Sequence, residues 1–204
     1  SIVFGALGAI GQNNLKRLLA YSSINNIGVI LLGLAVANEA GAASMLIYLF
    51  IYVVMSLGSF TALLMLRDDE GDLYETFGDI AGMAVTRPAI AWGLLLLMFS
   101  LAGIPPLLGF YSKFVVFQAV VEADLVAFAA IAIAASVIGA FYYIKFVKVM
   151  FFDEPANVVT GKSGAAHWIL LAITAAIISP VGYLLTPSLS ALANKAAGAL
   201  FLTI

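Results

Sequence analysis

Five stretches of this 204-residue chain, at 18–38, 40–66, 88–112, 125–144 and 163–194, hold no charged side chain, and only His167 interrupts the last. About 20 apolar residues span the hydrocarbon core of a bilayer, so each stretch is long enough to be a transmembrane helix. Hydrophobic residues make up 64% of the chain and charged residues 10%, against about 25% charged in an ordinary soluble domain. A water-soluble fold of this size has no interior large enough to hide that much apolar surface. The reading is an all-α integral membrane protein: a transmembrane helix bundle in one membrane domain over 1–204, with spans near 18–38, 41–66, 88–121, 125–152 and 166–186. Residues 1–15 form a further uncharged run, too short to cross, read as the tail of a helix entering from upstream. No basic segment of a signal peptide precedes it. With no cysteine there is no disulfide and no thiolate metal site. The net charge of −2 argues against a nucleic-acid surface.

Short polar connections separate the spans and place the charges on two faces. One face carries Lys16, Arg17, Arg67, Arg87, Lys148 and Lys162, whereas the other has Lys195 beside Glu39, Glu122 and Asp124. By the positive-inside rule the basic face is cytoplasmic, which puts the C-terminus on the periplasmic side. The 67–87 connection interleaves six carboxylates with Leu73, Phe77, Ile80 and Met83. That spacing fits either a short amphipathic helix on the membrane surface or a solvated acidic loop. Beyond Pro187, the residues Leu189, Leu192, Ala196, Leu200 and Phe201 recur at helical spacing, as for a helix along the interface or packed on a neighbour.

The segment 88–121 is the most informative. As one straight helix its 34 residues would run about 51 Å, well past a core of about 30 Å. Gly103, Pro105, Pro106 and Gly109 supply a break, because each proline lacks a backbone donor and its ring clashes with the preceding turn. Carbonyls freed at membrane depth are tolerated where they meet protein or line a water-filled cavity, and broken helices of this kind form ion sites in transporters. Seven residues after Pro106 comes Lys113, with Tyr111, Ser112 and Gln118 nearby in sequence. An ammonium at the bilayer centre costs at least about 2.5–3.5 kcal/mol, so an idle lysine is disfavoured there. Lys113 is therefore a candidate proton-loading residue; the competing reading is a lysine snorkelling toward Glu122. All eleven carboxylates fall in connections or at helix ends, which leaves Lys113 without an obvious intramembrane counter-charge.

Other candidates are weaker. Lys145 and Lys148 lie one turn apart beside Tyr142 and Tyr143, a pattern ordinary for interfacial anchors, although Lys145 is deep enough to join a proton path. Lys16, with Arg17, opens a helix and either anchors topology or flanks a proton entry. His167 starts a helix and is read as solvated or capping. Ser22, Ser23, Asn25, Asn26, Ser56, Gly58 and Ser59 suit close helix packing and interhelical hydrogen bonds. Neither a phosphate-binding loop nor a Ser/His/Asp set is present, and a single histidine cannot build a haem or zinc cage.

Two runs are specific enough to compare with known families: Asn14-Leu15-Lys16-Arg17-Leu18-Leu19-Ala20-Tyr21-Ser22-Ser23-Ile24, and Ser100-Leu101-Ala102-Gly103-Ile104-Pro105-Pro106 leading through Gly109-Phe110 to Lys113-Phe114. They resemble the antiporter-like subunits of proton-pumping NADH-quinone oxidoreductase, respiratory complex I. Tyr48-Leu49, Tyr52, Gly58, Phe60 and Phe141-Tyr142-Tyr143-Ile144-Lys145 are similar to the subunit N group of that family. The resemblance covers essentially the whole chain and implies the C-terminal portion of an antiporter-like fold. It implies Lys113 as the key lysine of the second broken helix, on the exit side. The family's other key residues, a glutamate and two lysines, would lie upstream of Ser1. On this resemblance the chain is a proton-translocating subunit of an oxidoreductase in a bacterial inner membrane, partnered by other membrane-arm subunits, lipid and protons. NADH, FMN, iron-sulfur clusters and quinone are expected in other subunits, with no cofactor in this chain. Two rivals stand beside it, a sodium/proton antiporter subunit and a purely structural membrane-arm segment.

Overall fold

The computed structural model of the chain describes residues 1–155 and 161–201. Among these residues the regular structure is helical: α1 (Ile2–Ile10), α2 (Leu15–Ala35), α3 (Glu39–Leu64), α4 (Met83–Thr86), α5 (Pro88–Ala102), α6 (Leu108–Glu122), α7 (Val126–Phe152), α8 (Ala165–Ile178), a 3-10 segment (Pro180–Leu185) and α9 (Thr186–Phe201). Polar punctuation sets the starts. The side chain of Asn14 accepts from the Arg17 amide, and that of Asn38 from the Gly41 amide, as N-caps of α2 and α3. Pro88 opens α5 where its missing donor is harmless. α2, α3 and α7 are each long and apolar enough to cross a bilayer alone.

α3 is the hub. It packs on α2, α5, α6, α8 and α9, with Tyr48, Ile51, Met55 and Ala62 fully buried, while Phe50, Val53 and Leu57 point outward. Apolar side chains on the outside suit lipid, which gives helices no hydrophobic reason to associate; small residues that allow close approach do that work instead. A Cβ on Gly41 would lie 2.5 Å from the Gly33 carbonyl oxygen, so α2 and α3 meet backbone to backbone there. Gly58 plays the same part against Thr174 of α8, where a Cβ would sit 2.5 Å from the hydroxyl.

Several expectations change. The run 1–15 is not one helical tail: α1 ends at Ile10, and α2 already begins at Leu15. The 67–87 connection is a loop rather than an amphipathic helix, apart from the single turn α4. The Asp68 carboxylate accepts from the amides of Glu70, Gly71 and Asp72, and that of Asp79 from Glu75 and Thr76. Such local side-chain bonds, with Gly71 and Gly82 at positive φ, outcompete the helix. The span drawn at 166–186 continues only through a 68° bend, because Pro180 has no amide to extend α8 and the Ser179 hydroxyl caps Val181 instead. On α9 the inward residues are Ala193 and Ala197 with Leu189 partly buried, whereas Leu192, Leu200 and Phe201 face out. The polar connection 153–162 lies partly outside the described residues.

Candidate functional site

The break between α5 and α6 builds the site. Gly103 ends α5 in the left-handed region at φ +85, and its amide and that of Ile104 return to Phe99. In an unbroken helix, residues 105 and 106 would donate to the carbonyls of Leu101 and Ala102. Both are proline, so both carbonyls lose their donors. Lys113 Nζ takes their place, donating to Leu101 O at 2.9 Å and Ala102 O at 3.1 Å. Gly109 allows this return, since a Cβ there would lie 1.9 Å from the Ser100 carbonyl oxygen, and its amide donates to Ser100 Oγ at 3.0 Å. Lys113 is 6% exposed and no carboxylate among the described residues pairs with it.

Lys113 is thus held by backbone dipoles and does not snorkel to Glu122. Its sequence neighbours turn elsewhere. Tyr111 shares a hydrogen bond with Ser190 at 2.9 Å, Gln118 donates to Glu122 at 2.8 Å, and Ser112 donates to the Gly109 carbonyl. A step of two residues is about 200° around a helix, so Tyr111 and Lys113 occupy opposite faces.

A second buried polar group was not foreseen as a unit. Tyr48 of α3 donates to Asn26 Oδ1 at 2.8 Å; Asn26 Nδ2 reaches the Tyr143 hydroxyl of α7 at 3.1 Å; Tyr143 and Ser22 share a short hydrogen bond. All four side chains are buried. Tyr142 and Tyr143 are therefore interior residues, not interfacial anchors, with ring centroids 4.4 Å apart and planes tilted by 52°. The available sequence signal was the i, i+4 pair Ser22 and Asn26, which shares one face of α2. Between the two polar groups lies a cavity of about 10 Å³, lined by Leu19, Ser22, Ser23, Tyr52, Ser56, Ser59, Phe60 and Leu101. That is room for about one water. Leu101, whose carbonyl Lys113 holds, forms one wall and Ser22 another.

Lys16 and Lys145 lie at the basic end, apart from this interior. Lys16 Nζ pairs with Glu75 at 2.6 Å, Asn14 donates to the same carboxylate at 2.9 Å, and the Leu15 amide bonds to the Glu75 carbonyl. These contacts hold the Glu75 carboxyl below the usual carboxylate range, the Lys16 hydrogen bond most of all. Lys145 sits 4.6 Å from the centre of the Phe77 ring, which meets Phe146 edge to face. The loop joins the two lysines through Glu75 and Phe77, two residues apart. His167 is not fully solvated, since its Nδ1 is buried without a hydrogen-bond partner among the described residues.

Residues 1–139 match the family described as NADH:quinone oxidoreductase/Mrp antiporter, TM. The chain belongs to that transmembrane family. Relatives within the NADH:quinone oxidoreductase/Mrp antiporter family include NADH-quinone oxidoreductase subunit N of Erythrobacter litoralis, 68% identical over 99% of this chain, and that of Sphingopyxis alaskensis, 48% identical over 98%. The chain spans 42% of the length of each. The subunit N branch anticipated from Tyr48, Tyr52, Gly58 and the Phe141–Lys145 run is the one these relatives carry. Among solved structures, a chain of respiratory complex I from Thermus thermophilus with bound NADH superposes with a TM-score of 0.79 at 26% identity, covering 97% of this chain and 42% of that one. A chain of the membrane-bound sulfane sulfur reductase, an archaeal respiratory membrane complex, gives 0.84 at 25% identity over 97% and 39%. The antiporter-like membrane fold of this family therefore frames the Lys113 site.

Proposed function

We propose that this chain forms part of the proton-translocating machinery of NADH-quinone oxidoreductase subunit N, with Lys113 as a residue that loads and releases a proton. One observation carries the reading: a buried amine, without a carboxylate partner among the described residues, rests on two carbonyls that Pro105 and Pro106 left without donors. Held this way, the neutral amine keeps its lone pair free to take a proton, and the ammonium it becomes has one N–H to spare for a third acceptor. The one-water cavity beside Leu101 and the Ser22, Asn26, Tyr48 and Tyr143 hydroxyl-amide group extend the path inward. Lys16 and Lys145, gripped by the Glu75 and Phe77 loop, serve the cytoplasmic entry. On this reading NADH, FMN, iron-sulfur clusters and quinone belong to other subunits. Electron transfer there moves protons outward across a bacterial inner membrane by shifting charge near Lys113.

The test is Lys113→Ala in the full-length subunit of the assembled enzyme, reconstituted in vesicles. Electron transfer from NADH to quinone continues while fewer protons appear per electron; unchanged proton stoichiometry rules the role out. A sodium/proton exchange reading predicts instead that proton movement follows an imposed sodium gradient without NADH.

A further inference from the structure

A groove of about 440 Å³ runs along the outer side of the helix break, between the α5–α6 connection and α7. Its walls are apolar and its mouth is open: Phe110 and Phe114 stack at 6.2 Å between ring centroids, and Phe114, Ile133 and Val137 are exposed. Two polar side chains interrupt this lining. One is Lys113, whose ammonium spends two of its three donors on Leu101 and Ala102. The other is Ser136, whose buried Oγ has no hydrogen-bond partner among the described residues.

We infer that this groove binds a long-chain carboxylic acid, with the carboxylate on Lys113 and Ser136 and the acyl chain along Phe110, Phe114, Ile133 and Val137. Charge complementarity selects the head. A buried cation lacking a counter-charge among the described residues, lining one groove with a hydroxyl unpartnered among them, offers two donors to one carboxylate. Depth selects the class of amphiphile. Lys113 lies nine residues from the end of α6, about 14 Å along the axis, inside the hydrocarbon region. A phosphodiester headgroup keeps its charge and stays at the interface, whereas a fatty acid reaches this depth as the neutral acid. There its O–H proton passes to Lys113 in its neutral amine form, and the ammonium so formed, still donating to Leu101 and Ala102, turns its third N–H to the carboxylate. A chain of CH₂ groups fits the aromatic and branched walls without further polar demands.

The inference shares Lys113 with the proton relay but does not depend on pumping, because binding is read with the enzyme at rest. The experiment uses the assembled complex in vesicles and a palmitic acid analogue carrying a photoreactive diazirine on its chain. The expected result is labelling of α6 and α7 peptides, suppressed by excess palmitic acid but not by hexadecanol. Lys113→Gln lowers labelling by about tenfold or more, the weight of one charge-assisted hydrogen bond. Val137→Trp, at an exposed position, fills the groove and also lowers it, and native gel electrophoresis of the purified complex verifies that each variant assembles. Equal competition by hexadecanol, or labelling indifferent to Val137→Trp, overturns the proposal. So does efficient cross-linking of a photoreactive residue at 137 to a neighbouring subunit, which assigns the groove to a protein partner.

Discussion

Pro105 and Pro106 act on residues four positions earlier. By lacking amide hydrogens they leave the Leu101 and Ala102 carbonyls bare, and the lysine seven residues further on is folded back to meet them. Two glycines make that return feasible, for different reasons. Gly103 supplies the left-handed turn at φ +85 and lies flat against the lysine stem, where a Cβ would be 3.0 Å from Lys113 Cδ. Gly109 brings α6 against α5, and no flexible side chain is there to yield, because the atom in the way is a backbone oxygen. Gly103→Ala is expected to destabilise by about 1–2 kcal/mol from the left-handed backbone alone. Gly109→Ala is expected to do worse, abolishing accumulation of the subunit in membranes. Gly78→Ala is the matched control, since a Cβ there meets only Thr76 Oγ1 at an ordinary 3.7 Å. Immunoblotting of membranes and thermal melts of the purified complex check all three. Equal accumulation of Gly109→Ala and Gly78→Ala contradicts the close approach.

Among the elements, the 67–82 loop is the one whose behaviour pH should reveal. Glu75 clasps Lys16 and Asn14 across the start of α2, and its carboxyl is held below its usual range, so the folded form favours the ionised state. A depressed carboxyl stabilises docking at any pH above the ordinary carboxylate range, and the contribution disappears as pH falls through the lowered value. The loop should therefore be tight at neutral pH and loosen only in acid. Glu75→Gln should loosen it already at neutral pH, seen as faster hydrogen exchange or proteolysis across 67–82; unchanged protection removes the clasp from the account. This loop was poorly legible in sequence because its apolar spacing of three and four mimics a helix, while short-range Asp bonds to backbone amides decide the outcome. The bend after α8 escaped for a related reason: hydropathy continues smoothly through Pro180, whereas hydrogen bonding does not. The long spans and the break at 103–109 were legible, since charge-free length and a Pro-Pro pair need no tertiary information.

At the scale of the whole molecule, α2, α3 and α7 are joined by a small buried polar cluster. Tyr143→Phe should cut the tie from α7 to Asn26 and Ser22, which keep their bonds to each other, weakening the bundle by roughly 0.5–1.5 kcal/mol. Reduced exchange protection in α2 and α7 would register the loss, and protection unchanged from the parent would show that the cluster is not a structural tie. Sequence identified Ser22 and Asn26 as packing residues and Lys113 as the central charge, but it did not show that Tyr143 faces inward. Facing depends on which helix stands opposite, and a linear pattern does not record that. The lysine held by two carbonyls has one more property. With no countercharge of its own among the described residues to cancel its field, its energy registers any charge that moves nearby, as an electrometer would. A unit charge moving from 20 to 10 Å away, at an effective dielectric of about 20, changes the energy of the charged amine by about 0.8 kcal/mol. That is a factor of about four in any equilibrium the charge enters, felt at a distance and without contact.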